Sequence, residues 1–125
     1  MFRTSKAVAS FSVDDLPAAR QFYERTLGLK VSAVSDDGPL WLHTVGDRDI
    51  LVYRKLDHAP ATYTVLNFQV DDLERAVDEL ADRGVRIERY EGYQTDDRGI
   101  HQSRGHSIAW FTDPAGNGLS VFQEH

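Results

Sequence analysis

The pattern Phe-x-Val-Asp-Asp-Leu occurs twice in this chain, beginning at Phe11 and at Phe68, 57 residues apart. A chain that repeats itself at about half its own length is constrained to build two similar halves. Ala19 and Ala76 keep the spacing, and Gly28 and Gly84 slip by one. Each copy opens on an alternating run. Ala9, Phe11 and Val13 interleave with Val8, Ser10 and Ser12, and Leu66, Phe68 and Val70 interleave with Val65, Asn67 and Gln69. That period of two is the mark of a half-buried strand.

A helix follows each strand. Asp14 or Asp15 caps the first, with Pro17 tolerated in its opening turn, and Asp71 or Asp72 caps the second. Leu16, Ala19, Phe22, Tyr23 and Leu27 form one apolar face, and Leu73, Ala76, Val77 and Leu80 form the other. Gly28 and Gly84 end the helices. Three strands are expected after each: residues 29–35, 40–45 and 49–54, then 85–91, 107–112 and 119–123. The run Asp113-Pro114-Ala115-Gly116-Asn117-Gly118 makes the last hairpin. Residues 92–106 read as a long polar loop, either a lid or a mobile segment. The Asp-Asp pairs at 14/15, 36/37, 71/72 and 96/97 fall at helix starts and turns, where carboxylates have structural work.

These elements predict an α+β fold: one domain, residues 1–125, made of two tandem β-α-β-β-β modules. Module one covers about 7–54, a connector 55–61, and module two about 62–123. The 125 residues carry a net charge of −6. That balance argues against a nucleic-acid partner, which needs a basic face. It suits solubility, and it tolerates or attracts cationic small molecules. No apolar run approaches a membrane span, and residues 1–6 lack the apolar stretch of a secretory signal. With no cysteine, disulfides and thiolate chemistry are excluded, and a cytoplasmic location is expected.

The segments "FSVDDLPAARQFYERTLGLKV", "NFQVDDLERAVDELADRGVRI" and "AWFTDPAGNGLSVFQ" together resemble the vicinal oxygen chelate superfamily. This is the group of glyoxalase I, bleomycin-resistance proteins and extradiol dioxygenases. The resemblance implies two curled mixed sheets around a cleft, with the helices on the outer faces. The cleft forms either within a chain or across a homodimer. It also implies a divalent metal, held by side chains of the first and last strand of each module. Carried onto this sequence, those positions are Val8, Leu51, Val65 and Ser120. Three have no donor atom, and a lone hydroxyl is a poor ligand, so neither a metal nor another cofactor is expected. His43, His58, His101, His106 and His125 are not spaced to rebuild the site, although one of them could still serve as a general base.

Strand alternation predicts the cleft lining without reference to a metal. The helix side takes Phe11, Val13, Phe68 and Val70, which leaves Ser10, Ser12, Asn67 and Gln69 for the cleft, joined by Leu51, Tyr53, Ser120 and Phe122. Either Trp41 and His43, or Ile108, Trp110 and Thr112, join them. The expected ligand-binding set is therefore Ser10, Ser12, Trp41, His43, Tyr53, Asn67, Gln69, Trp110, Ser120 and Phe122. Such an aromatic and apolar lining with a few neutral hydrogen-bonding groups suits a small molecule. The same aromatics would equally serve a dimer interface or the core. Three functions remain open: a metal-independent binder like the bleomycin-resistance proteins, holding an aromatic or cationic ligand; a lyase, isomerase or dioxygenase-like enzyme with a rearranged metal or a histidine-based site; and a module whose partner is a protein.

Overall fold

The computed structural model describes residues 1–125, which form two compact units, Met1–Ala59 and Pro60–His125. The boundary falls inside the segment expected to connect the modules. The first unit contains β1 (Ala9–Val13), α1 (Leu16–Gln21), β2 (Lys30–Ala33), β3 (Leu40–His43) and β4 (Ile50–Arg54). The second contains β5 (Thr64–Gln69), α2 (Leu73–Asp82), β6 (His101–Ser103), β7 (His106–Thr112) and β8 (Gly118–Glu124). The strand orders are β1-β4-β3-β2 and β5-β8-β7-β6, the same path taken twice. In each sheet the first and last strands run parallel and the other neighbours antiparallel. The fold is thus α+β, with two mixed sheets of β-α-β-β-β topology.

The repeated aspartates do the same job in both copies. Asp15 Oδ1 accepts the backbone N–H of Ala18 at 3.1 Å, and Asp72 Oδ1 that of Arg75 at 3.1 Å. Each satisfies a donor that the first helical turn leaves unpaired. The one-residue slip of the repeat has a physical cause. Helix α1 passes into a π-helical segment, Phe22–Thr26, whereas α2 stays α-helical throughout. A π turn accommodates an extra residue without breaking the helix. Both helices still end on a glycine in the left-handed region, Gly28 at φ 75° and Gly84 at φ 83°.

In the first unit Leu16, Ala19 and Tyr23 are buried with Phe11, Val13, Val31, Leu40, Leu42, Ile50 and Val52. The rings of Phe11 and Tyr23 lie 5.9 Å apart. In the second unit Leu73, Val77 and Leu80 are buried with Ala109, Phe111, Leu119 and Val121. Gln123 Oε1 accepts the N–H of Leu73 at 2.9 Å, tying the end of β8 to the start of α2. The other sheet face is left to the polar and aromatic set.

Two expectations need correction. Residues 85–91 are not a strand. Their backbone pairs with the sheet only through the isolated Glu88–Trp110 bridge, with Glu88 N–H donating to Trp110 O at 2.7 Å. The edge strand is β6, from within the segment read as a loop. A two-residue turn with Gly105 at φ 81° returns β6 directly onto β7, closer in sequence than residues 85–91 could offer. The rest of that segment is pinned. Arg89 donates to Thr95 Oγ1, Asp96 O and Asp97 O, Asp96 Oδ1 accepts the N–H groups of Arg98 and Ile100, and Ile100 is buried. The second concerns His101 and His106, whose spacing of five along the chain predicts no shared helix or strand face. Their strands pair, with His101 opposite Ile108 and Ser103 opposite His106, so both histidines lie on one sheet face.

Candidate functional site

Register gathers the expected residues onto one face of each sheet, away from the helix. In the first unit Ser10 and Trp41 both pair with Leu51, and Ser12 pairs with Tyr53. His43, two residues beyond Trp41, joins them by alternation. In the second unit Asn67 and Trp110 both pair with Ser120, and Gln69 and Ile108 with Phe122. The third strands therefore contribute in both units, each to its own sheet.

Several of these side chains are already engaged. Ser12 Oγ and His58 Nδ1 lie 2.7 Å apart. His43 sits between Ser32 Oγ, 2.7 Å from its Nε2, and Asp49 Oδ1, 3.0 Å from its Nδ1. Ser120 is fully buried, and its hydroxyl donates to Asn67 Oδ1. It serves the asparagine and offers solvent nothing.

The face of the second sheet holds two concavities, one towards each end. The first, about 510 Å³, is lined by Tyr63, Thr64, Tyr90, Tyr93, Trp110 and Thr112, with Ala61, Thr62, Gly116 and Gly118 beside them. Its wall is an aromatic cluster. The Trp110 ring lies 5.1 Å from Tyr93, 5.6 Å from Tyr90 and 6.0 Å from His101, the last pair stacked. Burial, with the nearby charge of Glu88 adding to it, pushes the Tyr90 phenol above its ordinary value, so it stays a neutral donor through the physiological range. The second concavity, about 470 Å³, is lined by Asn67, Ile108, Phe122, Arg104, His106, Glu124 and His125. Of the residues expected on this sheet, Trp110 lines one concavity and Asn67 and Phe122 the other, while Gln69 and Ser120 line neither.

Tyr63, Tyr90, Tyr93 and His101 were not among the expected residues. Tyr90 falls in a stretch of strand-like composition, Tyr93 and His101 in one of loop-like composition, and Tyr63 precedes β5. Tyr63 carried no signal, and that of the other three was the recurrence of Tyr90, Tyr93 and His101 ahead of a strand containing Trp110.

The positions where the fold would place metal ligands do not fit a metal. Register makes Leu51 and Ser120 equivalent, since Ser10 pairs with Leu51 and Asn67 with Ser120. Val8 and Val65 bring no donor, Val65 lies where the β5–β8 register shifts, and the Ser120 hydroxyl is taken. Nowhere do three or more histidine, aspartate or glutamate side chains converge in a way that could hold an ion.

Residues 7–121 match the sequence model of the family described as Glyoxalase/Bleomycin resistance protein/Dioxygenase superfamily. Solved structures match over almost the whole chain. TnmS3, described as an antibiotic binding protein from Streptomyces sp. CB03234, is 24% identical over 98% of each chain, with a TM-score of 0.71. A protein from the mobile metagenome of V. Pseudocholerae, VPC_CASS1, is 27% identical over 98% of this chain and 97% of its own, at 0.65. A member of the same superfamily from Sphaerobacter thermophilus DSM 20745 is 21% identical over 95% and 98%, at 0.69. No curated protein matches the sequence.

Proposed function

Because the chain belongs to the glyoxalase/bleomycin resistance protein/dioxygenase superfamily, we propose that it is a metal-independent binder of a flat aromatic small molecule, neutral or cationic. The observation that carries the reading is the aromatic wall of Tyr90, Tyr93 and Trp110 beside a concavity of about 510 Å³. That volume is within the range of small-molecule sites. The wall offers π faces to a planar guest, and tyrosine hydroxyls together with Thr64 and Thr112 offer hydrogen bonds at its edge. A cationic guest gains further from the ring faces and from the net charge of −6. A protein of this fold, TnmS3, is described as binding an antibiotic, which supports the reading. Metal-dependent lyase, isomerase or dioxygenase chemistry finds no support in Val8, Leu51, Val65 and Ser120. The proposal extends to a homodimer working in the cytoplasm. No helix is long and apolar enough to cross a membrane.

The test is a thermal-shift screen of planar aromatic antibiotics and aromatic metabolites, with hits followed by tryptophan fluorescence. A guest at a hundredfold excess over its Kd stabilises the fold by about 2.7 kcal/mol, a readily measured rise in Tm. Trp41 and Trp110 are the only tryptophans, so quenching that survives Trp41→Phe and vanishes in Trp110→Ala locates the guest. A broad panel without a hit would sink the reading.

A further inference from the structure

We propose that Ser32, His43 and Asp49 form a hydrolytic triad on the first unit's sheet, with Ser32 Oγ as nucleophile toward aryl esters. The three residues come from β2, β3 and the residue just before β4, and strand pairing brings them together. Lys30 pairs with His43, Ser32 with Trp41, and Leu42 with Ile50. Ser32 Oγ is 2.7 Å from His43 Nε2, and His43 Nδ1 is 3.0 Å from Asp49 Oδ1.

The carboxylate fixes the proton positions. An ionised Asp49 can only accept, so Nδ1 carries the hydrogen, and in the neutral ring Nε2 is then the acceptor. Ser32 must donate to it. This is the arrangement in which a histidine can take a serine proton while an acid holds its tautomer and orientation. Burial does not demand the network. The His43 and Asp49 side chains are 30% and 32% exposed, so water could satisfy them at little cost. The same exposure leaves His43 within reach of a substrate, and Ser32 beside it is half-buried. Trp41, directly opposite Ser32 in the sheet, gives an aryl group a flat surface beside the nucleophile.

The chemistry balances without a cofactor. Ser32 Oγ bonds to the ester carbonyl carbon as its proton passes to His43 Nε2. The bond from that carbon to the aryloxy oxygen breaks, and the phenol departs with the proton from Nε2. Water then attacks the acyl-serine and gives a proton to Nε2. The bond to Ser32 Oγ breaks, Ser32 recovers its proton, and the carboxylic acid is released. This activity is separate from the aromatic concavity of the second unit and stands or falls without it.

The experiment is para-nitrophenyl acetate turnover with peptide mapping, alongside labelling of the unsubstituted protein by a fluorophosphonate. A burst of para-nitrophenol, an acetyl group on the Ser32 peptide and phosphonylation of Ser32 are expected. Ser32→Ala should abolish acylation at residue 32 and reduce turnover to background, and His43→Ala should lower the acylation rate by about 100-fold, the scale of general-base assistance. Asp49 acts through His43 as a positioning residue, so Asp49→Asn should lower kcat while leaving KM unchanged. Acetyl groups on lysines or the amino terminus alone, an unchanged rate in Ser32→Ala, or a fluorophosphonate that leaves Ser32 unlabelled would each overturn the triad. The labelling needs no variant, so a misfolded substitution cannot obscure the answer.

Discussion

Asp113 shows how much one residue can hold in this chain. It is 4% exposed, and its carboxylate accepts the N–H groups of Ala115 and Asn117 and the side-chain amide of Asn117. The turn it organises carries the chain from β7 into β8. Hydrogen bonds to a charged acceptor are each worth about 1.5–3 kcal/mol. Asp113→Ala should therefore destabilise the protein by about 3 kcal/mol, read from urea unfolding; a loss under about 1 kcal/mol would mean the turn holds without its aspartate. Tyr90 supplies a pH prediction. Its phenol titrates above the ordinary value in the fold, chiefly because of burial. The folded state keeps that proton to higher pH than the unfolded chain does. Its contribution is complete below the ordinary phenol value and is lost as pH rises through the raised one. Stability should fall along that alkaline limb, and Tyr90→Phe should flatten it. An identical limb in the variant would assign the effect elsewhere.

The elements divide into those whose signals were local and those whose partners were distant. Helix starts were legible to within a residue because a cap is a local bargain between Asp15 or Asp72 and an N–H three residues on. Asp15→Ala and Asp72→Ala should each cost about 1 kcal/mol by denaturant unfolding. Equal costs are expected, since the two caps are geometrically alike, and a neutral substitution at either would count against that. The π segment was written in the sequence as the slip between Gly28 and Gly84, but spacing alone does not say where an extra residue goes. The second-module edge strand was misassigned because residues 85–91 have strand-like composition, while β6 wins by closing a tight turn onto β7. Gly99 shows how firmly the intervening segment is held. It has φ 89°, and an added Cβ would meet Ile87 Cγ2 at 2.5 Å. Gly99→Ala should cost about 1–3 kcal/mol through backbone strain, more than a mobile loop would register.

Across the whole molecule, the repeat predicted two sheets of the same topology, and the registers Phe11–Val52 and Phe68–Val121 show that the copies match pair for pair. The candidate site was legible only in part. Alternation places Ser10, Ser12, Trp41, His43 and Tyr53 on one face, and Asn67, Gln69, Trp110, Ser120 and Phe122 on another, as period-two reasoning can. It cannot show that Ser120 is buried against Asn67, or that Tyr90 and Tyr93 converge on Trp110 from outside the regular strands while His101 joins them from the short edge strand β6. Those depend on how a non-periodic segment folds back. At this scale the net charge of −6 adds a further expectation. A cationic guest should bind less tightly as salt is raised, a neutral one almost unchanged. Sedimentation should give twice the 14.1 kDa chain mass if the proposed homodimer forms, and the single-chain mass would refute it.

On the proposed reading, binding belongs to the aromatic wall and needs no metal. The most direct test is a fluorescence titration of chelator-treated protein, shown to be free of metal by elemental analysis, with the best planar aromatic from the screen. Saturable quenching unchanged by added zinc, nickel, iron or manganese is expected, with binding weakened by about 2 kcal/mol, roughly thirtyfold, in Trp110→Ala. Binding that appears only when a divalent ion is restored, or that is indifferent to Trp110→Ala, would contradict it.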